Sequence, residues 1–189
     1  MLAEEALDFE KSLREYVSYR TIYSKLKNDK DIPAFNENIK FYDLDDIKWG
    51  RFSYIELFNM RKGNRIIKEK DCNDLEFCYE TLVNYVTAKG VNNGVLEIVN
   101  LRNQNKIEKP NLITIASNGS VGSVFFQNFY FVVSGDILVF EPKKEGGIDE
   151  YIGIFLKTVM DREKYKYSYG VKPGLDRVKK TTIQLPVDE

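Results

Sequence analysis

The chain of 189 residues contains no histidine and only two cysteines, Cys72 and Cys78. The absence of histidine excludes histidine-based catalytic triads and most zinc or iron sites. The two thiols match no common zinc spacing, and in the cytosolic location that we expect they are free rather than bridged. No spacing of the carboxylates singles out a pair for acid–base catalysis.

Long apolar runs, nucleotide-binding glycine motifs and a signal peptide are also missing. No run approaches the roughly 18 apolar residues of a membrane-spanning helix, and the acidic start MLAEEALDFEKSL lacks an apolar signal core. Neither a GxxxxGK loop nor a GxGxxG motif occurs. These absences predict a cytoplasmic protein that does not bind nucleotides. A hydrophobic fraction of 43% and an aromatic fraction of 13% still predict a folded domain with a core.

Two basic segments interrupt a chain whose net charge is only −1. Residues 61–70 carry five basic residues against one acid, and residues 162–180 carry seven against two. Residues 1–60 carry nine basic and twelve acidic residues. Overall charge therefore does not indicate a nucleic-acid partner, and the two segments suit solvated loops as well as phosphate contacts.

Residues 3–28 have apolar residues at three- and four-residue steps, which predicts a helix. Acids lie at its start and bases at its end, as the helix dipole favours. The stretch NDKDIPAFNEN then ends the periodicity at Pro33. We therefore predict an N-terminal helix within residues 1–30 and a main domain over residues 31–189. The apolar stripe of the helix suits packing on that domain or on a partner.

From residue 41 onward β-strand signals dominate. IKWGRFSYIELFNMRKG predicts a strand, a short helix or turn, and a second strand closed by Gly63. KGVNNGVLEIVN predicts a turn and a strand, LITIA with VFFQNFYFVVSGDILVFEP predicts three more strands, and TTIQLP predicts the last. Helices are predicted at residues 148–160 and, as one turn, at 176–180, whereas residues 75–88 stay unassigned. The predicted fold class is α+β, with a curved, barrel-like sheet and flanking helices.

The stretch ITIASNGSVGSVFFQ places small polar residues between large apolar ones. Asn118-Gly119 fits the positive-φ positions of a type I′ hairpin turn. Gly122 fits that turn less well, since a glycine inside a strand often marks a bulge or a close backbone approach. VNNGV repeats the combination of amides and glycine, and asparagine amides can pair with adenine. Both stretches are either simple turns or surfaces that another molecule approaches closely.

The segment REKYKYSYGVKPG alternates tyrosines with polar residues. In a strand this alternation would place Tyr165, Tyr167 and Tyr169 on one face. They are then either half-buried strand residues or part of a surface where phenol hydroxyls and lysines meet phosphates. The nearby Asp149 and Asp161 suit helix capping or solvation rather than catalysis.

Several of these features follow one another in a recognisable order. They are Trp49, Gly63, Asn92-Asn93-Gly94, Asn118-Gly119-Ser120, Gly122, Tyr169-Gly170, Lys179-Lys180 and Ile183-x-Leu185-Pro186. Over residues 48–186 the chain resembles a target recognition domain of the DNA specificity subunits of type I restriction–modification systems. It is also similar to the related domains of type IIB and IIG enzymes. It departs from them in DCNDLEFCYET, where many members read Pro-Tyr-Ile, and in having one such domain where intact subunits have two.

The resemblance implies a non-catalytic subunit, or fragment of one, that recognises DNA. Family members read one half of a split target, while partners supply cleavage and methyl transfer from S-adenosylmethionine. The implied partners are double-stranded DNA, methyltransferase and restriction subunits, and a second recognition domain or copy. No cofactor is implied in this chain, and the helix within residues 1–30 would be the remnant of a spacer or linker.

Two groups of candidate DNA-binding residues follow from the resemblance. Amides and a hydroxyl would read base edges, with Asn103 and Gln104 as secondary candidates. Cations and a phenol would bind phosphates. The candidate base contacts are Asn92, Asn93, Asn118 and Ser120. The candidate phosphate contacts are Lys62, Arg65, Lys166, Tyr167, Lys172, Arg177, Lys179 and Lys180.

A protein- or carbohydrate-binding β-rich domain unrelated to DNA is the alternative hypothesis. Tyrosines and asparagine-rich loops suit such ligands equally well. The two hypotheses differ in geometry, because DNA recognition requires Lys62, Lys166, Lys172 and Lys179 to share one face with the turn at Asn118.

Overall fold

The computed structural model describes residues 47–73 and 82–187. The predicted helix within residues 1–30, its boundary with the main domain, Cys78 and residues 75–81 lie outside the described residues. Backbone contacts divide the chain into two compact units, Met1–Arg51 with Gln184–Glu189, and Phe52–Ile183. In the described part of the first unit, the amide of Val187 donates to the carbonyl of Lys48 at 2.9 Å.

Ten strands and four α-helices are present in the described part of the chain. The strands are β1 (Trp49–Ser53), β2 (Phe58–Lys62), β3 (Cys72–Asn73), β4 (Leu82–Val86), β5 (Val95–Leu101), β6 (Leu112–Ala116), β7 (Val124–Gln127), β8 (Phe131–Val133), β9 (Ile137–Pro142) and β10 (Thr182–Pro186). The helices are α1 (Tyr54–Leu57), α2 (Lys68–Asp71), α3 (Glu150–Arg162) and α4 (Leu175–Val178). These helices are too short and too polar to cross a lipid bilayer.

Most of the predicted elements are confirmed within one or two residues. The strand–helix–strand order before Gly63, the strand after the Asn-Asn-Gly turn, the helix near residues 148–160, the short helix before residue 180 and the last strand all form. The prediction for VFFQNFYFVVSGDILVFEP is wrong by one strand. Residues 128–130 interrupt the stretch VFFQNFYFVV and divide it into β7 and β8, because the chain leaves one sheet at Gln127 and enters another at Phe131.

Two four-stranded sheets make up most of the fold. Sheet I has the order β2-β9-β6-β7, and each neighbouring pair is antiparallel. Sheet II has the order β3-β5-β4-β8, in which β4 and β8 are parallel and the other pairs antiparallel. β1 and β10 form a separate two-stranded sheet.

One continuous stretch of chain, residues 58–66, joins sheets I and II. β2 pairs with β9 up to Lys62, and the amide of Gly63 donates to the Ile137 carbonyl at 3.1 Å. Beyond this point Arg65 bridges Val133 of β8, and the amide of Ile66 donates to the Val133 carbonyl at 3.0 Å. The sheets are thereby linked into one curled surface, which confirms the predicted α+β fold with a barrel-like sheet.

Glu108 holds this crossing from inside the protein. Its side chain is 2% exposed and accepts bonds from Arg61 Nη1 at 2.8 Å and from the amide of Asn64 at 2.9 Å. Arg61 Nη2 contacts the second carboxylate oxygen, so the pair is bidentate. The backbone of Glu108 exchanges hydrogen bonds with Phe131 at 2.7 and 3.2 Å. The hydrogen bonds that Arg61 donates to the Glu108 carboxylate raise the pKa of Arg61.

The main core lies between the facing sheets. Leu112, Ala116, Ile137 and Val139 of sheet I pack with residues of β4 and β8 of sheet II, and all seven are nearly inaccessible to solvent. All five residues of the strand LITIA are buried, and such a mostly apolar run is typical of a strand covered on both faces.

Helix α3 packs on β7 through a glycine. The capping prediction for Asp149 is confirmed, because its carboxylate accepts from the amide of Ile152 at 2.9 Å. A Cβ atom on Gly153 would lie 2.3 Å from the ring of Phe126, so the helix can approach the strand this closely only at a glycine.

Replacing Glu108 with glutamine should weaken the joint between the sheets. The amide keeps the shape but places an N–H group against Arg61 and leaves a buried donor unsatisfied, so we expect Glu108→Gln to lower the free energy of unfolding by about 1–3 kcal/mol. Urea unfolding followed by circular dichroism measures this loss. Glu141→Gln, which removes the exposed partner of Lys109, is the control and should cost less than about 1 kcal/mol. Equal losses would contradict the role assigned to Glu108.

Candidate functional site

Four connecting segments emerge from the same end of both sheets. In sheet I, β2 and β6 end where β7 and β9 begin, since Lys62 pairs with Leu138 and Ala116 with Ile137. In sheet II, β4 and β8 end together, because Val86 pairs with Val133. We call residues 62–65, 87–94, 117–123 and 134–136 the loop rim. Two of its segments contain the Asn-Gly stretches singled out from the sequence.

The loop-rim segments contact one another mainly through backbone. The amide of Ser120 donates to the Ala88 carbonyl at 2.9 Å, and the amide of Ser117 donates to the Asp136 carbonyl at 2.8 Å. The amide of Ser134 donates to the Val86 carbonyl at 2.9 Å. These bonds hold the segments together through backbone atoms, and Ser117 Oγ adds a side-chain bond to the Asp136 carbonyl at 2.9 Å.

The turn between β6 and β7 is longer than the predicted type I′ hairpin. Ile115 pairs with Val124, and the residues between them form a loop in which Gly119 and Gly122 have φ of 57° and 79°. Asn118 does not adopt a positive φ, so the type I′ assignment is wrong. Asn118 and Ser120 are half-buried, and the Asn118 Oδ1 atom is buried with no hydrogen-bond partner among the described residues.

The Asn-Asn-Gly stretch forms three successive left-handed residues. The φ angles are 53° at Asn92, 55° at Asn93 and 74° at Gly94. Asparagine and glycine are the residues that tolerate this conformation best, which explains the sequence. Asn92 is exposed, whereas Asn93 is half-buried and its Nδ2 donates to the Phe126 carbonyl at 2.9 Å.

The segment 163–167 adjoins the loop rim. A Cβ atom on Gly122 would lie 3.0 Å from the Tyr167 ring and 3.2 Å from Lys164 Cγ, and Lys164 Nζ donates to Ser123 Oγ at 2.9 Å. The predicted strand with three aligned tyrosines is wrong, because residues 163–166 form a 3-10 turn. Tyr167 is 8% exposed, while Tyr165 and Tyr169 are 77% and 74% exposed.

Tyr167 anchors this turn to the core. Its hydroxyl shares a 2.6 Å hydrogen bond with Thr181 Oγ1, and burial raises its pKa, so the phenol stays neutral. Its predicted contact with phosphate stays a prediction, although in this structure its hydroxyl is occupied. Lys166 is exposed and pairs with Glu163, and its Nζ also lies 5.7 Å from the Tyr165 ring centre.

Lys62 and Arg65 supply positive charge on the opposite flank of the loop from residue 117 to 123. Both are exposed, and the side chain of Arg65 packs on the turn at Gly135, with Cδ 3.1 Å from a Cβ position there. Within residues 47–73 and 82–187 neither cation has an ion-pair partner. The loop rim and the adjoining segment carry more cations than carboxylates. The cations are Lys62, Arg65, Lys89, Lys164 and Lys166, and the carboxylates are Asp136 and Glu163.

The remaining candidates lie elsewhere. Arg177 donates to the Lys172 carbonyl at 2.9 Å and Lys179 lies 3.6 Å from Asp176, so the segment around α4 is bonded to itself. In the described part of the chain no hydrogen bond or ion pair joins Lys172, Arg177, Lys179 or Lys180 to the loop rim. The contacts predicted for these residues stay predictions.

Asn103 and Gln104 follow the far end of β5, away from the loop rim. The strand begins at Val95, next to the loop rim, and ends at Leu101. The Asn103 side chain accepts from the amide of Asn105 at 3.0 Å, which is a local capping role. The structure therefore separates these two secondary candidates from the others.

Sequence reasoning did not identify three residues that support the loop rim: Ser123, Gln127 and Lys164. Gln127 is fully buried and bonded to Asn93. A glutamine in the apolar strand VFFQ was the available signal for it. Beside Asn93 lies an open cleft of about 230 Å³, lined by Asn93, Phe126, Asn128, Glu150, Ile154 and Lys157. Among the described residues, no three cysteines or carboxylates come together as metal ligands.

Comparison with known proteins identifies related sequences. The family model of the type I restriction modification DNA specificity domain matches residues 46–189, more than half of the chain. The "Type II restriction enzyme BgcI specificity subunit S.BcgI" of Heyndrickxia coagulans is 26% identical over 174 residues. This alignment covers 92% of the chain and 48% of the relative, so the chain spans about half the length of this curated relative.

Solved structures share the fold. The S subunit of a type-I restriction-modification system from M. genitalium matches with a TM-score of 0.54 at 18% identity, covering 95% of this chain and 47% of that one. The HsdS subunit from Thermoanaerobacter tengcongensis matches with a TM-score of 0.52 at 12% identity, covering 98% and 44%.

The close approach between two loop-rim segments can be tested at Gly119. A Cβ atom there would lie 2.7 Å from the Ala88 carbonyl oxygen, whereas a Cβ on Gly146 would meet nothing within 4 Å. Both glycines have positive φ, 57° and 78°, so alanine is strained at both. We expect Gly119→Ala to lower the free energy of unfolding by about 1–3 kcal/mol more than Gly146→Ala in chemical denaturation. Similar losses would show that the two segments do not pack this closely.

Proposed function

Because this chain belongs to the family of type I restriction modification DNA specificity domains, we propose that it recognises a short DNA sequence and directs partner enzymes to it. One observation carries the proposal. Loops bearing amides and hydroxyls emerge from the same end of both sheets as Lys62 and Arg65, and they contact the segment of Lys164 and Lys166. A duplex displays base-edge donors and acceptors between two rows of phosphates, so polar loops flanked by cations are complementary to it.

The loop between β6 and β7 is the part of the loop rim that suits entry into a groove. This loop contains Asn118 and Ser120 and joins β6 to β7 at the end of sheet I, and a major groove about 12 Å wide has room for a loop of this kind. Asn92 lies on the segment that contacts this loop. Each good bidentate amide–base pair contributes about 1–3 kcal/mol of discrimination between bases.

Cations on both flanks of this loop would set the register on the phosphates. Lys62 and Arg65 reach it through the turn at residues 134–136, and Lys164 and Lys166 reach it through Gly122 and Ser123. Of the four lysines that DNA recognition requires on one face, Lys62 and Lys166 adjoin the loop rim, while Lys172 and Lys179 have no bond to it among the described residues. The family match therefore favours DNA over a protein or carbohydrate ligand more strongly than this geometry does. Lys172 and Lys179 would extend the contact along the backbone of the duplex.

The proposed role is recognition without catalysis in this chain. Partner subunits would bind S-adenosylmethionine, transfer its methyl group and cleave DNA in the cytoplasm. One domain of this size buries limited surface on DNA, so we expect weak binding alone and a requirement for a second half-site.

The function can be tested in the host by sequencing methylated adenines. Deleting this gene should abolish methylation at one split motif, and reintroducing the gene should restore it, because the methyltransferase would have lost its guide to that sequence. A methylation pattern that stays the same after deletion would contradict the proposal.

The cations of the loop rim can be tested by the salt dependence of binding. Replacing both Lys62 and Arg65 with glutamine should weaken binding to every duplex alike and reduce the slope of log K against log salt by about 1 for each lost phosphate contact. Fluorescence anisotropy with a labelled duplex at several salt concentrations measures both quantities. Lys109→Gln is the control, because its partner Glu141 pairs with Asn59 at the other end of the sheet. If the slope were unchanged in the double variant, Lys62 and Arg65 would not contact phosphates, and this part of the proposed interface would be wrong.

A further inference from the structure

Gln127 is a buried glutamine whose polar groups are all engaged. It is 0% exposed. Its Nε2 donates to the Asn93 carbonyl at 3.0 Å and to Thr114 Oγ1 at 3.0 Å, and its Oε1 accepts from Asn93 Nδ2 at 3.2 Å. The amide of Asn111 donates to its backbone carbonyl at 2.7 Å. A buried amide with every donor and acceptor satisfied fixes its neighbours in one arrangement.

Asn93 and Gln127 bind each other reciprocally. Asn93 gives an N–H to the Gln127 side chain, and Gln127 gives an N–H to the Asn93 backbone. The second N–H of Asn93 is used as well, because Nδ2 donates to the Phe126 carbonyl at 2.9 Å. We call this pair the amide clamp. It connects the left-handed Asn-Asn-Gly run to strand β7.

The amide clamp leaves Asn93 without a free donor. A bidentate pair with adenine requires one N–H and one carbonyl from the same amide. Both N–H groups of Asn93 already bind carbonyl oxygens of the protein, so pairing with a base would break at least one of these bonds and leave the carbonyl of Phe126 or the side chain of Gln127 without its partner.

Asn92 is in the opposite situation. It is exposed, and its side chain has no hydrogen-bond partner within the residues that the structure describes. Its backbone is nevertheless fixed, since φ is 53° and the segment closes through a 3.0 Å bond from the Gly94 amide to the Val91 carbonyl. A free amide on a fixed backbone is what recognition of a base edge requires.

We infer that the two adjacent asparagines have different roles: Asn93 and Gln127 are positioning residues that hold the loop, and Asn92 is the amide that contacts a base edge. The identity of the ligand as DNA rests on the proposed function. The positioning role rests only on the hydrogen bonds and burial of Asn93 and Gln127.

Glycine substitutions separate the two asparagines. Asn92→Gly and Asn93→Gly both keep a residue that accepts positive φ, and each removes one side chain. The full chain would be used to select duplexes from a pool with a randomised central segment. We expect Asn92→Gly to lose about tenfold or more of the preference at one base pair, with the midpoint of urea unfolding unchanged. We expect Asn93→Gly to weaken the preference at that same base pair and to lower the midpoint.

Gln127→Met provides the second half of the test, because methionine matches the shape of glutamine without its amide. Hydrogen exchange should become at least tenfold faster at the amides of Thr87 and Gly94 in both Gln127→Met and Asn93→Gly, since these amides bond within the held segment. Exchange at Met60 in β2 is the internal reference. Asn93→Gln, which keeps an amide but lengthens the side chain, should not restore slow exchange.

The measurements test the positioning role and the base contact separately. Unchanged exchange in Asn93→Gly and Gln127→Met would overturn the positioning role, whatever the DNA result. Unchanged preference in Asn92→Gly would overturn the contact assigned to Asn92. The selection uses protein concentrations high enough to detect weak binding by one domain. If the unaltered chain selected no sequence from the pool at these concentrations, the proposed function and the contact by Asn92 would both be contradicted, and the exchange measurement would still test the positioning role.

Discussion

The fold depends on how residues 58–66 pass from one sheet to the other. A strand that pairs with β9 and then continues onto β8 must change neighbours within three residues, and its polar backbone must stay bonded throughout. The carboxylate of Glu108 makes this passage feasible by binding Arg61 and the Asn64 amide at the crossing. Since the crossing fixes where both sheets end, it also fixes where their connecting loops meet.

The loop rim separates the contacts that hold its shape from the groups that a ligand could meet. Carbonyl and amide groups of Ala88, Ser117, Ser120 and Asp136 hold the segments together, and glycines allow backbone to approach backbone. Most exposed side chains on the same segments therefore make no bond that holds the loops together. The side chains of Asn93, Ser117 and Ser123 are exceptions, because they bond to Gln127, to the Asp136 carbonyl and to Lys164 respectively.

Sequence patterns predicted the local elements well and the long-range placements poorly. Strands such as LITIA and the Asn-Asn-Gly turn follow from residue types alone, and the order of motifs was enough to indicate the family. The burial of Tyr167 alone was not predicted, because period-two alternation would place it on one face with Tyr165 and Tyr169. Residues 163–166 form a 3-10 turn instead, and the three tyrosines differ in exposure. The bond between Gln127 and Asn93, which are 34 residues apart, forms because a strand and the Asn-Asn-Gly turn meet in space, and no local sequence pattern predicts such a meeting. For the same reason the support that Lys164 gives to Ser123 could not be predicted.

The left-handed backbone at Asn92 limits which residue types can occupy that position. A φ of 53° readily accepts glycine, asparagine and aspartate and disfavours branched or bulky side chains. These three differ in chemistry, since an amide donates and accepts, a carboxylate only accepts and glycine does neither. In a protein that reads DNA, replacing asparagine by aspartate at this position would change a preference for adenine into a preference for cytosine, and replacing it by glycine would remove the preference. A single substitution could thus change the base recognised at one position of the target while the backbone of the loop stays the same.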